Sequence, residues 1–390
     1  MLNFSFSNTT KIIFGRGVEE QTGKEAAAWG KKVLLHYGGG HIVRSGLKDR
    51  VVASLKRAGL EIVELGGVQP NPRLSLVHQG IELARKEEVD LVLAVGGGSV
   101  IDSAKTIAIG VPYDGDVWDF YAGKAKAEES LPVGVILTIP AAGSESSSSS
   151  VVTNEDGWLK VGYGDLVMRP KFALMNPELT YSLPAYQTAC GVADMFAHIL
   201  ERYFTQERDV GFGDHLCEGA MRSIIQEAPK AIAEPENYGA RANIMWAGTI
   251  AHNDVLGMGR SEDWASHSIE HELSALYDIA HGAGLAIVFP AWMKYVYQQD
   301  PQRFVQFAVR VFDVEQDFHN PERTILEGIR RLEDFFRRIG LPTTLAEADI
   351  PLDRLGEMAE KATAGDTRKL GSFLPLGQKD VLAIYQLSQG

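Results

Sequence analysis

The chain is poor in cysteine, has no long apolar run and carries no basic excess. Its two cysteines, Cys190 and Cys217, provide neither a disulfide framework nor a thiolate metal cluster. That scarcity fits a reducing compartment. No segment reaches the roughly 18 consecutive apolar residues of a membrane-spanning helix. Met1-Leu2-Asn3-Phe4-Ser5-Phe6 lacks the charged region and apolar run of a secretory leader, so a cytoplasmic protein is expected. Lys and Arg total 38 against 51 Asp and Glu, a net charge of −13, with both signs spread along the chain. A nucleic-acid or anionic-membrane partner needs a basic footprint, so neither is expected. No internal repeat is visible, and the one low-complexity run is Ser146 to Ser150.

What is present is an ordinary globular balance, 45% apolar and 23% charged, over 390 residues. That length favours two domains over one, and the apolar share fills a sizeable core. The first half alternates strand and helix patterns. Lys11–Phe14, Val33–Tyr37, Glu61–Leu65, Asp90–Val95 and Val133–Ile139 read as strands, mostly apolar, as expected of strands covered on both faces. Helical spacing fills 47–60, the stretch from Asn71 to about Lys86, and the segment starting near Val100. Such alternation implies parallel βαβ units. From about Pro184 the patterns are long and helical: 191–205, 212–227, 238–251, 264–278, 286–297, 320–339 and 352–364. The expected architecture is an α/β dinucleotide-binding domain over 1–183, with a Rossmann-like parallel sheet. An all-α metal-binding and catalytic domain is expected over 184–390.

Gly96-Gly97-Gly98-Ser99 falls between an apolar strand and a helix. Main-chain N–H groups and the helix dipole can hold a phosphate there. It is neither G-x-G-x-x-G nor a Walker loop, and a tight turn without ligand uses the same glycines. Asp102 faces a polar part of a cofactor or only favours the helix N-terminus. Gly38-Gly39-Gly40 ends an earlier strand, where an acidic residue usually grips the 2′-hydroxyl of NAD. No Asp or Glu stands there, and His41 and Arg44 are near, which leans toward NADP(H) over NAD(H). The serine run 146–150 offers hydroxyls to a cofactor or is a plain flexible linker.

Asp194 and His198 are four residues apart and share a helix face. His267, His271 and His281 fall within fifteen residues. One carboxylate and three imidazoles suit a divalent transition metal such as Fe²⁺ or Zn²⁺. His267-Ser268-Ile269-Glu270-His271 has its Glu out of place for an H-E-x-x-H metalloprotease. His36, His41, His78, His215, His252 and His319 read as structural.

At these residues the chain resembles the iron-containing (group III) alcohol dehydrogenases, within them the NADPH-dependent butanol dehydrogenase and broad aldehyde reductase branch. The resemblance is carried by Lys11–Gly15, Tyr37–Gly40, Val68–Pro72, Gly96–Lys105, Leu137–Glu145, Gly191–His198, Trp264–His271 and His281–Ala286. The chain departs from the wider family in a shorter loop over Pro140–Glu145, the serine run, and Asn176-Pro177 in place of Asp-Pro. The resemblance implies a dehydroquinate synthase-like fold and a metal held by Asp194, His198, His267 and His281. It implies His271 as a proton donor, and cofactor contacts at Gly38, Gly39, Gly40, Asn71, Gly97, Gly98, Ser99, Asp102, Thr138, Ser147 and Lys160. The implied activity is hydride transfer between NADP(H) and a small alcohol or aldehyde such as butanol or butanal, in a homodimer. Alternatives are a diol, polyol or lactaldehyde dehydrogenase of the same superfamily, or a non-catalytic nucleotide- and metal-binding protein.

Overall fold

Short apolar runs alternating with amphipathic segments give the first of two compact units, Ser7–Ser182. The computed structural model describes residues 1–390. The strands are β1 (Lys11–Phe14), β2 (Lys32–Tyr37), β3 (Glu61–Leu65), β4 (Leu91–Gly96), β5 (Val133–Leu137), β6 (Ser149–Asn154), β7 (Leu159–Gly164) and β8 (Phe172–Met175). Between them run helices α1 (Thr22–Ala26), α2 (His41–Arg44), α3 (Leu47–Arg57), α4 (Leu74–Lys86), α5 (Gly98–Gly110) and α6 (Trp118–Tyr121). Six strands form one parallel sheet in the order β1-β8-β5-β4-β2-β3. The central strands β4, β5 and β8 are buried at every position, whereas the edge strands β1 and β3 are part-exposed. A strand covered by helices on both faces has no polar side to show, which is why these runs do not alternate. Strands β6 and β7 form a separate antiparallel hairpin.

The chain turns back across the sheet between β2 and β4. From β2 it proceeds to β3 on one side, and from β4 to β5 on the other. In open parallel sheets, ligands bind beyond the carboxyl ends of the strands at such a reversal. Both glycine clusters stand at those two carboxyl ends.

The second unit comprises Leu183–Gly390 together with Met1–Phe6, so the first six residues group with the helices. Leu2 N donates to Gly259 O at 2.8 Å. The helices are α7 (Ala185–Tyr203), α8 (Gly211–Ala233), α9 (Tyr238–His252), α10 (Ala265–Tyr277), α11 (His281–Val296), α12 (Pro301–Phe312), α13 (Pro321–Arg338), α14 (Leu355–Ala362) and α15 (Gln378–Leu387). Their core includes Phe196, Phe204, Trp292, Phe304, Phe307, Phe335 and Phe373. Each such burial is worth about 1.5–3 kcal/mol. Helix α7 is the centre, with 16 of its 19 residues buried. A polar side chain on such a helix has no water to turn to and must find a partner.

Candidate metal centre and nucleotide cradle

The cradle is built in the first unit. Gly97 caps α5 and Gly98 begins it, so the first free N–H groups of that helix follow directly on β4. Ser99 is part-exposed at this turn, and Thr138, just past β5, donates its N–H to Gly96 O at 3.0 Å. Asn71 is buried with φ of 53°. Lys160 is half-buried on β7, opposite Thr153. Gly39 and Gly40 are exposed at the end of β2. Arg44 Nη1 lies 2.5 Å from where a side chain on Gly40 would begin, so a guanidinium rests on this loop. His41 Nε2 is 2.9 Å from Ser182 Oγ.

The serine run is not a flexible linker. Ser146, Ser147 and Ser150 are buried, and the run leads into β6. Asp102 Oδ1 accepts from Ser144 Oγ at 2.6 Å, and Oδ2 accepts from Val151 N at 2.9 Å. Lys105 Nζ, also on α5, reaches Ser144 Oγ, Ser147 O, Ser147 Oγ and Ser149 O at 2.9–3.1 Å. Asp102 and Ser147, both expected to touch a cofactor, are here the residues that tie the serine loop to α5.

The metal candidates all lie in the second unit. Asp194 and His198 sit one turn apart on α7, His267 on α10, and His281 is the first residue of α11. Asp194, His267 and His281 present ligand atoms that all lie within 4.8 Å of one another. His198 is outside that mutual set and joins through the same carboxylate. Asp194 Oδ1 is 3.3 Å from His198 Nε2, 3.9 Å from His267 Nε2 and 3.7 Å from His281 Nε2. Two ligands about 2.1 Å from one tetrahedral ion stand about 3.4 Å apart. Asp194 Oδ1 and His267 Nε2 are buried without a hydrogen-bond partner, as is His198 Nδ1. Buried orphans of this kind need an explanation, and a shared cation supplies one for the first two.

Charge agrees with geometry. Burial opposes a charged Asp194, yet His198, His267 and His281 around it hold its carboxyl well below the usual range. Burial pushes His198 down to about 3 despite Asp194. Burial works against the proton on His267 too, but Asp194 and Glu201 overcome it and raise the ring to about 9.

Two carboxylates that sequence reasoning missed stand behind the rings. Glu201 Oε1 is 2.7 Å from His267 Nδ1, and Glu270 Oε2 contacts His281 Nδ1. His252, read as structural, packs its ring 4.2 Å from that of His198, and Arg202 Nη2 meets His252 Nδ1 at 2.9 Å. Glu201 falls seven residues after Asp194, on the face the metal candidates already occupied, which was the one available signal. His271 is half-buried, its ring centroid 5.6 Å from that of His281. Glu270, His271 and His281 form a second group with ligand atoms within 4.8 Å of one another.

Comparison with known proteins identifies the family. Sequence profiles for iron-containing alcohol dehydrogenase and for the C-terminal part of the Fe-containing alcohol dehydrogenase family match residues 9–177 and 188–388. The chain belongs to the iron-containing alcohol dehydrogenase family. It is 46% identical, over the whole of both chains, to a probable NADH-dependent butanol dehydrogenase of Bacillus subtilis. It is 35% identical, over 95% of both chains, to an NADPH-dependent aldehyde reductase of Escherichia coli. The solved structure of an NADH-dependent butanol dehydrogenase from Thermotoga maritima superposes with a TM-score of 0.97 at 43% identity, covering 100% of this chain and 99% of that one. Membership makes the chain an NAD(P)-dependent alcohol oxidoreductase, in a family that uses a divalent metal and a nicotinamide cofactor. No helix is long and apolar enough to cross a membrane.

Proposed function

We propose that this enzyme interconverts short- to medium-chain aldehydes and alcohols, butanal and butanol among them, with a divalent ion held by Asp194, His198, His267 and His281. The observation that carries the reading is the convergence of three imidazole Nε2 atoms on Asp194 Oδ1 at 3.3–3.9 Å. When bound, the ion supplies a Lewis acid for a carbonyl oxygen, and the nicotinamide supplies hydride. The residues do the rest. Asp194 brings the one negative charge among the ligands and fixes the ion among three neutral rings. His271 delivers a proton to the substrate oxygen, directly or through one water. The phosphate-loop helix α5 holds the cofactor pyrophosphate by its N-terminal N–H groups.

For the cofactor we propose that NADPH is accepted alongside NADH. No carboxylate follows β2 to repel a 2′-phosphate, and Arg44 lies against Gly40. Relatives at 46% and 41% identity carry NADH in their names, and one at 35% carries NADPH. Those names favour NADH as the faster cofactor. The metal as Fe²⁺ or Zn²⁺, the homodimer and the cytoplasmic location rest on the family resemblance and composition. The deciding experiment follows reduced-cofactor absorbance with butanal on freshly metallated protein, with NADH and NADPH in parallel. Turnover with both supports the proposal, and turnover with NADH alone removes the 2′-phosphate reading. Inactivity with both, alongside turnover of a diol, moves the substrate to the polyol class.

A further inference from the structure

The two glutamates behind the metal ligands are set with more care than bulk charge requires. Glu201 and Glu270 are both fully buried. Glu201 Oε1 accepts from the His267 backbone N–H at 3.2 Å as well as facing its ring, while Oε2 accepts from Trp264 N at 2.9 Å. Glu270 Oε1 accepts from Ser274 Oγ, one turn on, and Oε2 faces His281 Nδ1. Each carboxylate thus has one oxygen pinned by its surroundings and the other committed to an imidazole Nδ1. That contact makes Nδ1 the protonated nitrogen and leaves the Nε2 lone pair for the ion. The couples run in one direction through the helices: α7 backs a ring on α10, and α10 backs a ring on α11.

The helix packing is shaped around the second couple. A Cβ on Gly284 would lie 2.5 Å from Glu270 Oε1 and 2.7 Å from its Cγ. A glycine at that place on α11 leaves room for the carboxylate beneath His281. His198 has no such support. Its Nδ1 has no hydrogen-bond partner, and its ring is held by packing against His252 and Trp264, at 4.2 and 5.5 Å.

The couples differ in one respect that matters for metal exchange. The Asp194, His198 and His267 side chains are 7–8% exposed, while that of His281 is 24% exposed. Of the four ligand candidates His281 is the one with the greatest access to solvent. We infer that Glu201 and Glu270 are positioning residues for the metal, and that the Glu270–His281 couple is the latch that sets the rate of metal exchange. This rests on the metal-site reading above.

The test uses zinc as the probe on the full chain. Affinity is read by competition with a chromophoric chelator, and release by adding that chelator in excess. Glu201→Gln and Glu270→Gln are each expected to weaken zinc binding about 10- to 100-fold. Release is expected to quicken more in Glu270→Gln than in Glu201→Gln. Melting temperature and NADH fluorescence titration report whether each variant is folded. Should Glu270→Gln fail to fold, Ser274→Ala frees the pinned oxygen and is expected to quicken release in the same direction. Wild-type affinity in both folded glutamine variants overturns the positioning role. Release quickened equally, or more, in Glu201→Gln overturns the latch. A wild-type chain that binds no zinc or ferrous ion overturns the metal-site reading, and this inference with it.

Discussion

Lys105 Nζ, with no solvent exposure, donates to Ser144 Oγ at 2.9 Å. The same ammonium holds Ser147 and the Ser149 carbonyl, and the Ser144 hydroxyl donates in turn to Asp102 Oδ1. Lys105→Met removes the charge and leaves these acceptors buried. Breaking a buried charged network costs about 3–5 kcal/mol. The expected result is a lowered melting temperature and a KM for cofactor raised at least about tenfold, with bound metal unchanged. Wild-type cofactor KM in a folded Lys105→Met protein would separate the serine loop from the cradle.

His36 on β2 is fully buried between Leu65 O at 2.9 Å and Ser103 Oγ at 2.8 Å. Burial lowers its ring from 6.5 to about 4, the Leu65 contact working the other way. The unfolded chain therefore takes up a proton near 6.5 that the folded chain refuses until about 4. Stability from the neutral ring is fully present above 6.5 and is lost as pH falls toward 4. The loss amounts to about 3 kcal/mol. Urea midpoints between pH 4 and 7 should fall more steeply for the wild type than for His36→Gln. Parallel profiles would rule this out.

His267→Ala is expected to lose metal and activity together, as read by metal analysis and butanal turnover. His271→Ala should retain the metal and lose on the order of 10²-fold in kcat. Full activity in His271→Ala would remove that ring from the catalytic list.

Gly282→Ala tests how α11 reaches the metal. Its Cβ would lie 1.9 Å from the Cys190 carbonyl oxygen on α7, and backbone does not give way cheaply. Overpacking costs about 1–3 kcal/mol, and the shift of α11 carries its first residue, His281, with it. Weakened zinc affinity alongside a lowered melting temperature is expected, whereas loss of stability with intact affinity would show that His281 tolerates the shift.

Arg44→Ala should raise KM for NADPH while leaving that for NADH nearly unchanged, because only the former carries a phosphate at the 2′ position. Equal effects on both would assign Arg44 to the turn itself.

The alternation of apolar runs and helices was enough to read the parallel sheet. Lys11–Phe14 and Glu61–Leu65 are strands with the expected bounds. The β6–β7 hairpin was not legible, because it opens on serines rather than on an alternating apolar pattern. Its order comes from Lys105 and Asp102, about fifty residues earlier. No element was read at α12 or α15, although both are real helices. The start of α11 was placed at residue 286, five residues late, so His281 looked like a loop residue rather than the first of a helix. The histidines stood out by type and spacing. Glu201 and Glu270 did not, since a glutamate three residues after a histidine looks the same whether it backs a ring on another helix or meets water.

Every atom proposed to grip the ion belongs to the unit Leu183–Gly390 with Met1–Phe6, and every loop proposed to grip the nucleotide belongs to Ser7–Ser182. Choice of reductant and retention of the metal are thus written in separate stretches of the gene product. Altering one by substitution need not disturb any side chain that governs the other, so the two properties can be selected independently in the laboratory, and in nature as well.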